Sequence, residues 1–389
     1  PEREDDQVEL YLSQGIQFVE ASAFMKITPA LVRFRVSGLA RGPGGEPLVR
    51  HRVMAKVSRP EIARLFMQPA PARLVNALAE GGRITREQAA WSAQVPLADD
   101  ICVESDSGGH TDRGVALVLL PSMLALRDEL MRQHRFPKRV RVGAAGGLGT
   151  PEAIAAAFMM GADFVLTGSI NQCTVEAGTS DAVKDILQEM TVADTDYAPA
   201  GDMFEVGARV QVLRRGILFP ARANRLYELY RRHESLDEID EPTRRHLEEK
   251  VFRRSFADIW AETRSFFAQR HPEVIAEAEA NSKKKMALIF RWYFVDTTRL
   301  ALAGDDERRV DFQIHCGPAL GAFNEWVKGT RLESWRARHV NEIAEALMQG
   351  AATCMEQRWR DLGGGAADDS GNSPRGAAVA MEPVFSSSL

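Results

Sequence analysis

The chain has 389 residues, of which 45% are apolar and 26% are charged, and this mixture is typical of a folded globular protein. Its formal net charge of −5 leaves no basic excess to neutralise phosphates, which argues against general nucleic-acid binding. The sequence has no apolar run long enough to cross a bilayer, so we expect no membrane partner.

The four cysteines lie far apart and form no CxxC pair; they are Cys102, Cys173, Cys316 and Cys354. This spacing favours neither a zinc site nor a disulfide framework. We therefore expect free thiols, no bound metal, and a reducing cytoplasm as the location of the protein.

Residues 7–170 alternate between short apolar runs and helix-like segments. The apolar runs are rich in Val, Ala and Ile and predict buried parallel strands at 18–23, 52–57, 99–105, 139–146 and 163–168. The segments between them predict helices at 58–67, 86–94, 120–134 and 150–161. Repeated strand–helix units predict an α/β fold with a parallel sheet, open or closed. Residues 31–54 break this rhythm, because two arms of β-type composition flank "RGPGGEP" and predict a hairpin.

Glycines follow two successive strands of this predicted sheet. Gly146 and Gly147 come after one strand in "GAAGGLG", and Gly168 and Ser169 come after the next in "DFVLTGS". Glycines at the carboxyl ends of parallel strands leave backbone N–H groups uncovered, so an anion can approach them. In (β/α)8 barrels the loops after strands 7 and 8 commonly bind phosphate. We interpret the two loops as a phosphate site; the alternative is that the glycines only permit tight turns.

The strand signal ends near residue 190. Residues 223–280 carry apolar positions at helical spacing, which predicts several helices around a common core. We therefore divide the chain into a sheet-containing part at 1–190 and a helical domain at 191–355. Residues 356–389 are rich in Gly, Ala, Ser and Pro, and we expect them to be a disordered tail.

Several segments resemble a known superfamily. "DDICVESDSGGHTD", "VRVGAAGGLGTPEAIAAAFMMGADFVLTGSI" and "RVMAKVSRPEIA" are similar to the nitronate monooxygenase and enoyl reductase superfamily of FMN-binding TIM barrels. "PAGDMFEVGARVQVLRRGILFPARANRLYELY", "KKKMALIFRWYF" and "CGPALGAFNEWVKGTRLE" narrow the resemblance to the PfaD-type enoyl reductases of polyunsaturated fatty acid and polyketide synthases. The resemblance covers residues 7–353.

This resemblance implies an FMN-dependent reductase that acts in trans on enoyl thioesters held by an acyl carrier protein, with NADPH as electron donor. It also implies that the predicted strands are strands 4–8 of a TIM barrel. The sequence begins at Pro1 rather than Met, so we expect an N-terminally incomplete chain that does not close the barrel by itself. The sequence leaves open whether the chain assembles as a homodimer.

The stretch "VESDSGGHTD" at 103–112 acquires a role from the same resemblance. His110 matches the histidine that nitronate-oxidising relatives use as a base; in a reductase it would polarise the thioester carbonyl or deliver a proton to the α-carbon. Gly108 and Gly109 would bring the backbone close to the flavin, beside Asp106 and Ser107. The alternative for His110 is a turn residue bonded to backbone.

Further residues would bind the cofactor. Lys56 would stabilise negative charge on the reduced flavin; the alternative is an ion pair with a nearby carboxylate. Either Glu104 or Asp106 would bind ribityl hydroxyls while the other is structural. Gly146, Gly147, Gly168 and Ser169 would hold the flavin phosphate. Cys316 has no identifiable base and is interpreted as a structural thiol.

Two other functions stay open beside the reductase. One is a nitronate monooxygenase that uses O₂ as oxidant, and the other is a catalytically silent scaffold of a synthase. In the reductase hypothesis, the helical domain at 191–355 would bind the substrate and dock the acidic carrier protein. Its docking surface would be rich in arginine and formed by Arg214, Arg215, Arg231 and Arg232.

Overall fold

The computed structural model describes residues 2–268 and 270–363. Its central feature is a five-stranded sheet with the order β1-β4-β5-β7-β8, in which every neighbouring pair is parallel. The strands are β1 Phe18–Ser22, β2 Leu39–Arg41, β3 Pro47–Val49, β4 Arg52–Val57, β5 Asp100–Glu104, β6 Gly109–His110, β7 Arg141–Ala145, β8 Val165–Leu166, β9 Thr195–Pro199 and β10 Arg209–Leu213. The five sheet strands lie within the five predicted runs, so the predicted parallel α/β sheet is confirmed.

Helices connect these strands and form a second unit beyond the sheet. They are α1 Glu2–Ser13, α2 Pro29–Ser37, α3 Pro60–Met67, α4 Ala72–Glu80, α5 Arg86–Ser92, α6 Ala116–His134, α7 Pro151–Met159, α8 Asp181–Leu187, α9 Phe219–Arg232, α10 Glu241–His246, α11 Phe256–Ala268, α12 Pro272–Ala280, α13 Ser282–Ala303, α14 Pro318–Trp326 and α15 Val340–Asp361. Helix α7 illustrates the local signals. The Thr150 hydroxyl accepts a hydrogen bond from the Ala153 N–H at 3.4 Å, Pro151 occupies the first turn, and Gly161 follows the helix with φ +103°.

The predicted hairpin over 31–54 is wrong in its first arm. Residues up to Ser37 belong to α2, which begins at Pro29 and is capped by Thr28, whose hydroxyl accepts from the Leu31 N–H at 3.3 Å. Only the short strands β2 and β3 pair as a hairpin. The Val- and Phe-rich composition of "LVRFRVS" suits a strand, but burial of this segment against α1, α4 and α5 overrides that propensity.

The apolar residues form two cores. The first core contains residues of the parallel sheet and its helices. The residues of the second core all come from the sequence range Ala198 to Phe294. Residues 312–351 return to the first core, where α15 packs against α7. Residues 312–351, which lie in the predicted helical domain at 191–355, therefore pack with the sheet unit, and the division into domains remains a prediction. Helix α15 continues to Asp361, past the predicted start of the tail at 356, and residues 364–389 of that tail lie outside the described residues.

A small antiparallel sheet joins the two units in the order β6-β10-β9. Strand β6 follows β5 of the parallel sheet, whereas β9 and β10 lead into the helices of the second core. The register places His110 opposite Val210, so the predicted catalytic histidine lies at the junction of the units. In the described ranges, no helix has both the length and the apolar character needed to span a membrane.

Candidate functional site

A cavity of about 240 Å³ lies at the carboxyl ends of the parallel strands. Each of the five strands contributes one lining residue: Glu20, Lys56, Glu104, Ala145 and Leu166. Most of the residues predicted for the site also line this cavity, namely Lys56, Asp106, Ser107, Gly108, Gly146, Gly147, Gly168 and Ser169. Gly109 and His110 are not among the lining residues.

The loops after β7 and β8 form an open backbone cradle in this cavity. Gly146 has φ +89°, and a Cβ there would lie 2.7 Å from the Ser105 carbonyl oxygen, so only glycine fits at this close approach. Gly147 has φ +75°, and a Cβ on Gly147 or Gly168 would meet no atom within 4 Å. Within the part of the chain that the structure describes, the N–H groups of Gly147 and Gly168 have no hydrogen-bond acceptor. The cradle can therefore accept an anion.

The N-terminus of α14 forms another part of the cavity wall, through Gly317, Pro318 and Ala319. The Gly317 N–H donates to the Ser169 Oγ at 2.8 Å, which ties this wall to the loop after β8. The first N–H groups of a helix lack intrahelical partners and favour negative charge. This contribution was not predicted from the sequence, although Gly followed by Pro in "HCGPALG" is a signal for a helix start.

Three charged side chains contact one another near the carboxyl ends of β1, β4 and β5. The Lys56 Nζ lies 3.3 Å from the Glu104 Oε1 and 3.7 Å from the Glu20 Oε1. Burial opposes the charged form of Lys56, but the two carboxylates outweigh burial and raise the lysine pKa. The ion pair that was the alternative for Lys56 is therefore present, and it keeps the ammonium charged within the cavity.

Asp106 is fastened to the antiparallel sheet. Its carboxylate accepts hydrogen bonds from Thr111 Oγ1 at 2.7 Å, from Gln211 Nε2 at 3.2 Å and from the Tyr197 hydroxyl. Burial, followed by the bond to Asp106, raises the pKa of Tyr197, so the phenol remains a donor. Of the two acidic residues at this strand exit, Asp106 is the structural anchor and Glu104 is the partner of the cavity lysine.

Gly108 and His110 face different neighbours. A Cβ on Gly108 would lie 2.6 Å from the Cys316 backbone, so this glycine permits close packing of its loop against the segment before α14. The His110 side chain is 47% exposed, and its Nε2 lies 2.8 Å from the Asp202 Oδ1. Its strand partner Val210 packs in the second core, so the imidazole projects toward the second unit rather than into the cavity.

The Asp202 carboxylate fixes the roles of the two imidazole nitrogens of His110. Burial opposes its charge, but the hydrogen bond and the charge of His110 outweigh burial and lower the pKa of Asp202. An ionised carboxylate can only accept, so the Nε2–H of His110 donates to it. The Nδ1 of His110 is consequently the nitrogen available to another group.

Burial disfavours the thiolate form of three cysteines. Burial raises the pKa of the Cys102 thiol to about 12 and that of the Cys173 thiol to about 11. Burial also raises the pKa of Cys316, which supports its interpretation as a structural thiol. Across residues 2–268 and 270–363, no group of three or more His, Cys, Asp or Glu side chains is arranged to hold a metal ion.

These features define an α/β protein with a parallel sheet, a glycine-lined cavity at the strand ends and a helical insertion beside it. Residues 233–312 match the family model described as [Acyl-carrier-protein] S-malonyltransferase, inserted helical domain. The crystallised enoyl reductase domain of MlnA, from the macrolactin biosynthesis cluster of Bacillus amyloliquefaciens, is 44% identical, with a TM-score of 0.89. That match covers 93% of this chain and 81% of the MlnA chain.

Curated relatives extend the comparison. Polyketide biosynthesis protein PksE of Bacillus subtilis is 54% identical over 362 residues, which cover 93% of this chain and 47% of PksE. A polyunsaturated fatty acid synthase polypeptide of a Thraustochytrium species is 46% identical over 334 residues, which cover 85% of this chain and 22% of that polypeptide. The chain thus spans less than half the length of these relatives. It belongs to the PfaD-type enoyl reductase family of polyketide and polyunsaturated fatty acid synthases.

Proposed function

We propose that this chain carries the active site of an FMN-dependent enoyl reductase that acts in trans on enoyl thioesters bound to an acyl carrier protein, with NADPH as electron donor. The observation that carries the proposal is the open glycine cradle at the strand ends, in a chain 44% identical to an enoyl reductase domain. Relatives named for polyketide biosynthesis and polyunsaturated fatty acid synthesis support a carrier-bound thioester as substrate.

The cavity residues fit FMN. The free N–H groups of Gly147 and Gly168, with the α14 N-terminus, suit its phosphate. Lys56, across the cavity at β4, suits negative charge on the ring, and Glu104 rather than Asp106 suits the ribityl hydroxyls. When bound, FMN would supply hydride transfer to the β-carbon of the enoyl thioester.

Although its imidazole does not line the glycine-lined cavity, His110 is proposed to donate the proton to the substrate, from the side of the second unit. As an imidazolium whose Nε2–H donates to Asp202, His110 would transfer its Nδ1 proton to the substrate α-carbon and be left as the Nε2–H tautomer. Its position at the junction of the two units supports a substrate that approaches from the side of the insertion. Asp202 acts through His110 and is a positioning residue.

The sheet is proposed to be strands 4–8 of a (β/α)8 barrel. All five strands run in parallel with a cavity at their carboxyl ends, which is where active sites of such barrels lie. In the described residues β1 pairs only with β4, which leaves an edge at which a further strand can pair.

The carrier protein is proposed to dock on exposed arginines at the two ends of α9, before and after its residues 219–229. Arg214, Arg215, Arg231 and Arg232 are all exposed, and only Arg215 has an ion-pair partner among the described residues. Unpaired guanidinium groups suit an acidic partner. The homodimer and the cytoplasmic location remain predictions; sedimentation of the purified protein tests the first.

An absorbance experiment tests the function. The full-length protein should show a bound-flavin spectrum with FMN, bleach anaerobically with NADPH, and recover its colour when crotonyl thioester is added. Oxygen uptake with a nitroalkane, without recovery by the thioester, would instead identify a nitronate monooxygenase. A protein that gains no flavin spectrum in the presence of FMN would reject both enzymes and favour the silent scaffold.

A further inference from the structure

A second cavity, of about 280 Å³, lies between α8, α13 and residues 313–315. Its walls are mainly apolar, with Val183, Ala301 and Ile314 buried in the first core. At its mouth, Thr298 is exposed and the Leu302 side chain is 57% exposed. A mainly apolar cavity that opens to solvent can hold a flexible hydrocarbon chain.

This second cavity adjoins the glycine-lined cavity. Gln172 lines both of them, and one stretch of chain forms a shared wall: residues 313–315 face the second cavity, and residues 317–319 face the first. The Gly317 N–H bond to Ser169 holds this wall in place at 2.8 Å. In the described ranges, the Gln172 side chain has no hydrogen-bond partner, so its amide is free to bind a group that lies between the cavities.

Gln172, Gln313 and His315 place polar groups where the two cavities approach each other; Thr179 and Thr298 also line the second cavity. The Gln313 amide Nε2 donates to the His315 Nε2 at 2.7 Å, which leaves the proton of a neutral imidazole on Nδ1. Burial, and secondarily the charge of His110, lowers the pKa of His315, so the ring is neutral near pH 7. A polar junction followed by apolar walls matches a thioester, which has a carbonyl at one end and an alkyl chain beyond it.

We propose that the second cavity binds the alkyl chain of the acyl thioester, with the thioester carbonyl at the junction beside Gln172. This inference rests on the proposed reductase function, because the bound molecule is the substrate of that reductase. The alkyl chain of the substrate would lie on the α13 side of the shared wall. The cavity then selects substrates by chain length, since each buried methylene adds apolar contact.

A bulky side chain at the cavity mouth tests the proposal. Thr298→Trp and Leu302→Trp place an indole at exposed positions that line the cavity, so both variants should fold. Thr353→Trp is the matched control: Thr353 is also an exposed helical threonine whose hydroxyl donates to the carbonyl four residues earlier. Binding of saturated butyryl- and dodecanoyl-coenzyme A to the full-length, FMN-loaded protein is measured by calorimetry.

We expect the mouth variants to weaken dodecanoyl binding at least tenfold and to change butyryl binding less than twofold, with the control unchanged. Equal dodecanoyl affinity in parent and both mouth variants would overturn the assignment, as would a parent without preference for the longer chain. Because saturated thioesters are not reduced, this readout is independent of turnover. A chain-length effect in a protein that fails to reduce crotonyl thioester would reject the reductase and retain the alkyl pocket.

Discussion

A single methyl group at Gly147 should weaken FMN binding far more than it disturbs the fold. In Gly147→Ala the new Cβ meets no protein atom within 4 Å, and because Gly147 lines the cavity, the methyl occupies space beside the free N–H groups. The positive φ of +75° costs an alanine about 1 kcal/mol in folding free energy. Loss of one charge-assisted hydrogen bond to phosphate costs about 1.5–3 kcal/mol, which corresponds to FMN binding roughly 10- to 150-fold weaker.

Gly329 provides a matched control for the backbone cost. It also has φ +75° and no atom within 4 Å of a built Cβ, but it lies outside the glycine-lined cavity. Gly329→Ala should therefore lower the free energy of unfolding by a similar amount while leaving FMN affinity unchanged. Urea denaturation of the apoprotein measures the first quantity, and flavin fluorescence quenching measures the second. Equal FMN affinity in the two variants would refute the phosphate cradle.

Three further predictions concern the junction and the surface. Asp202→Asn should lower kcat for crotonyl-thioester reduction about tenfold with little change in KM. It should also alter the pH profile of kcat, because Asp202 fixes the tautomer of His110. An unchanged pH profile would exclude a positioning role for Asp202. Burial lowers the folded-state pKa of His315, so its contribution to stability is present above the unfolded pKa of about 6.5 and is lost as pH falls. His315→Asn should therefore reduce the pH dependence of the unfolding free energy between about pH 7 and 5, by at most about 1.4 kcal/mol per pH unit. Urea denaturation at several pH values measures this dependence. An unfolding free energy that changes equally with pH in parent and variant would contradict the prediction. Arg214→Glu combined with Arg231→Glu should raise KM for carrier-bound crotonyl thioester about tenfold and leave that for crotonyl-coenzyme A unchanged; equal effects on both substrates would exclude a carrier surface.

The parallel sheet was predictable because its strands are short apolar runs separated by well-marked helix signals. Thr150, Pro151 and Gly161 bound one helix through local capping geometry, which can be read from adjacent residues. The same local reading located the glycines after β7 and β8, and they do meet at one cavity. These features follow from neighbouring residues and from the rule that parallel strands share one carboxyl edge.

Long-range contacts decided the features that the sequence did not reveal. Helix α2 forms where composition favours a strand, because packing against three other helices buries it. Asp106 resembles a ligand-binding carboxylate, but its donors Tyr197 and Gln211 lie about a hundred positions further along the chain. The direction of His110 depends on pairing with Val210 in a strand that no local pattern connects to "SGGH". Such choices require the tertiary fold.

The helical insertion helps to position a wall of the glycine-lined cavity, although none of its helices lines that cavity. Asp311, fully buried where the chain leaves the insertion, accepts hydrogen bonds from the Tyr293 hydroxyl at 3.0 Å and from the Arg308 Nε at 2.9 Å. Two residues later the chain becomes the wall shared by both cavities, which the Gly317 N–H fastens to Ser169. The wall is therefore anchored at one end to the insertion and at the other to the parallel sheet. Because removal of either anchor would leave a buried charge or a strand-end loop without its partner, we expect folding of the insertion and formation of the glycine-lined cavity to be coupled.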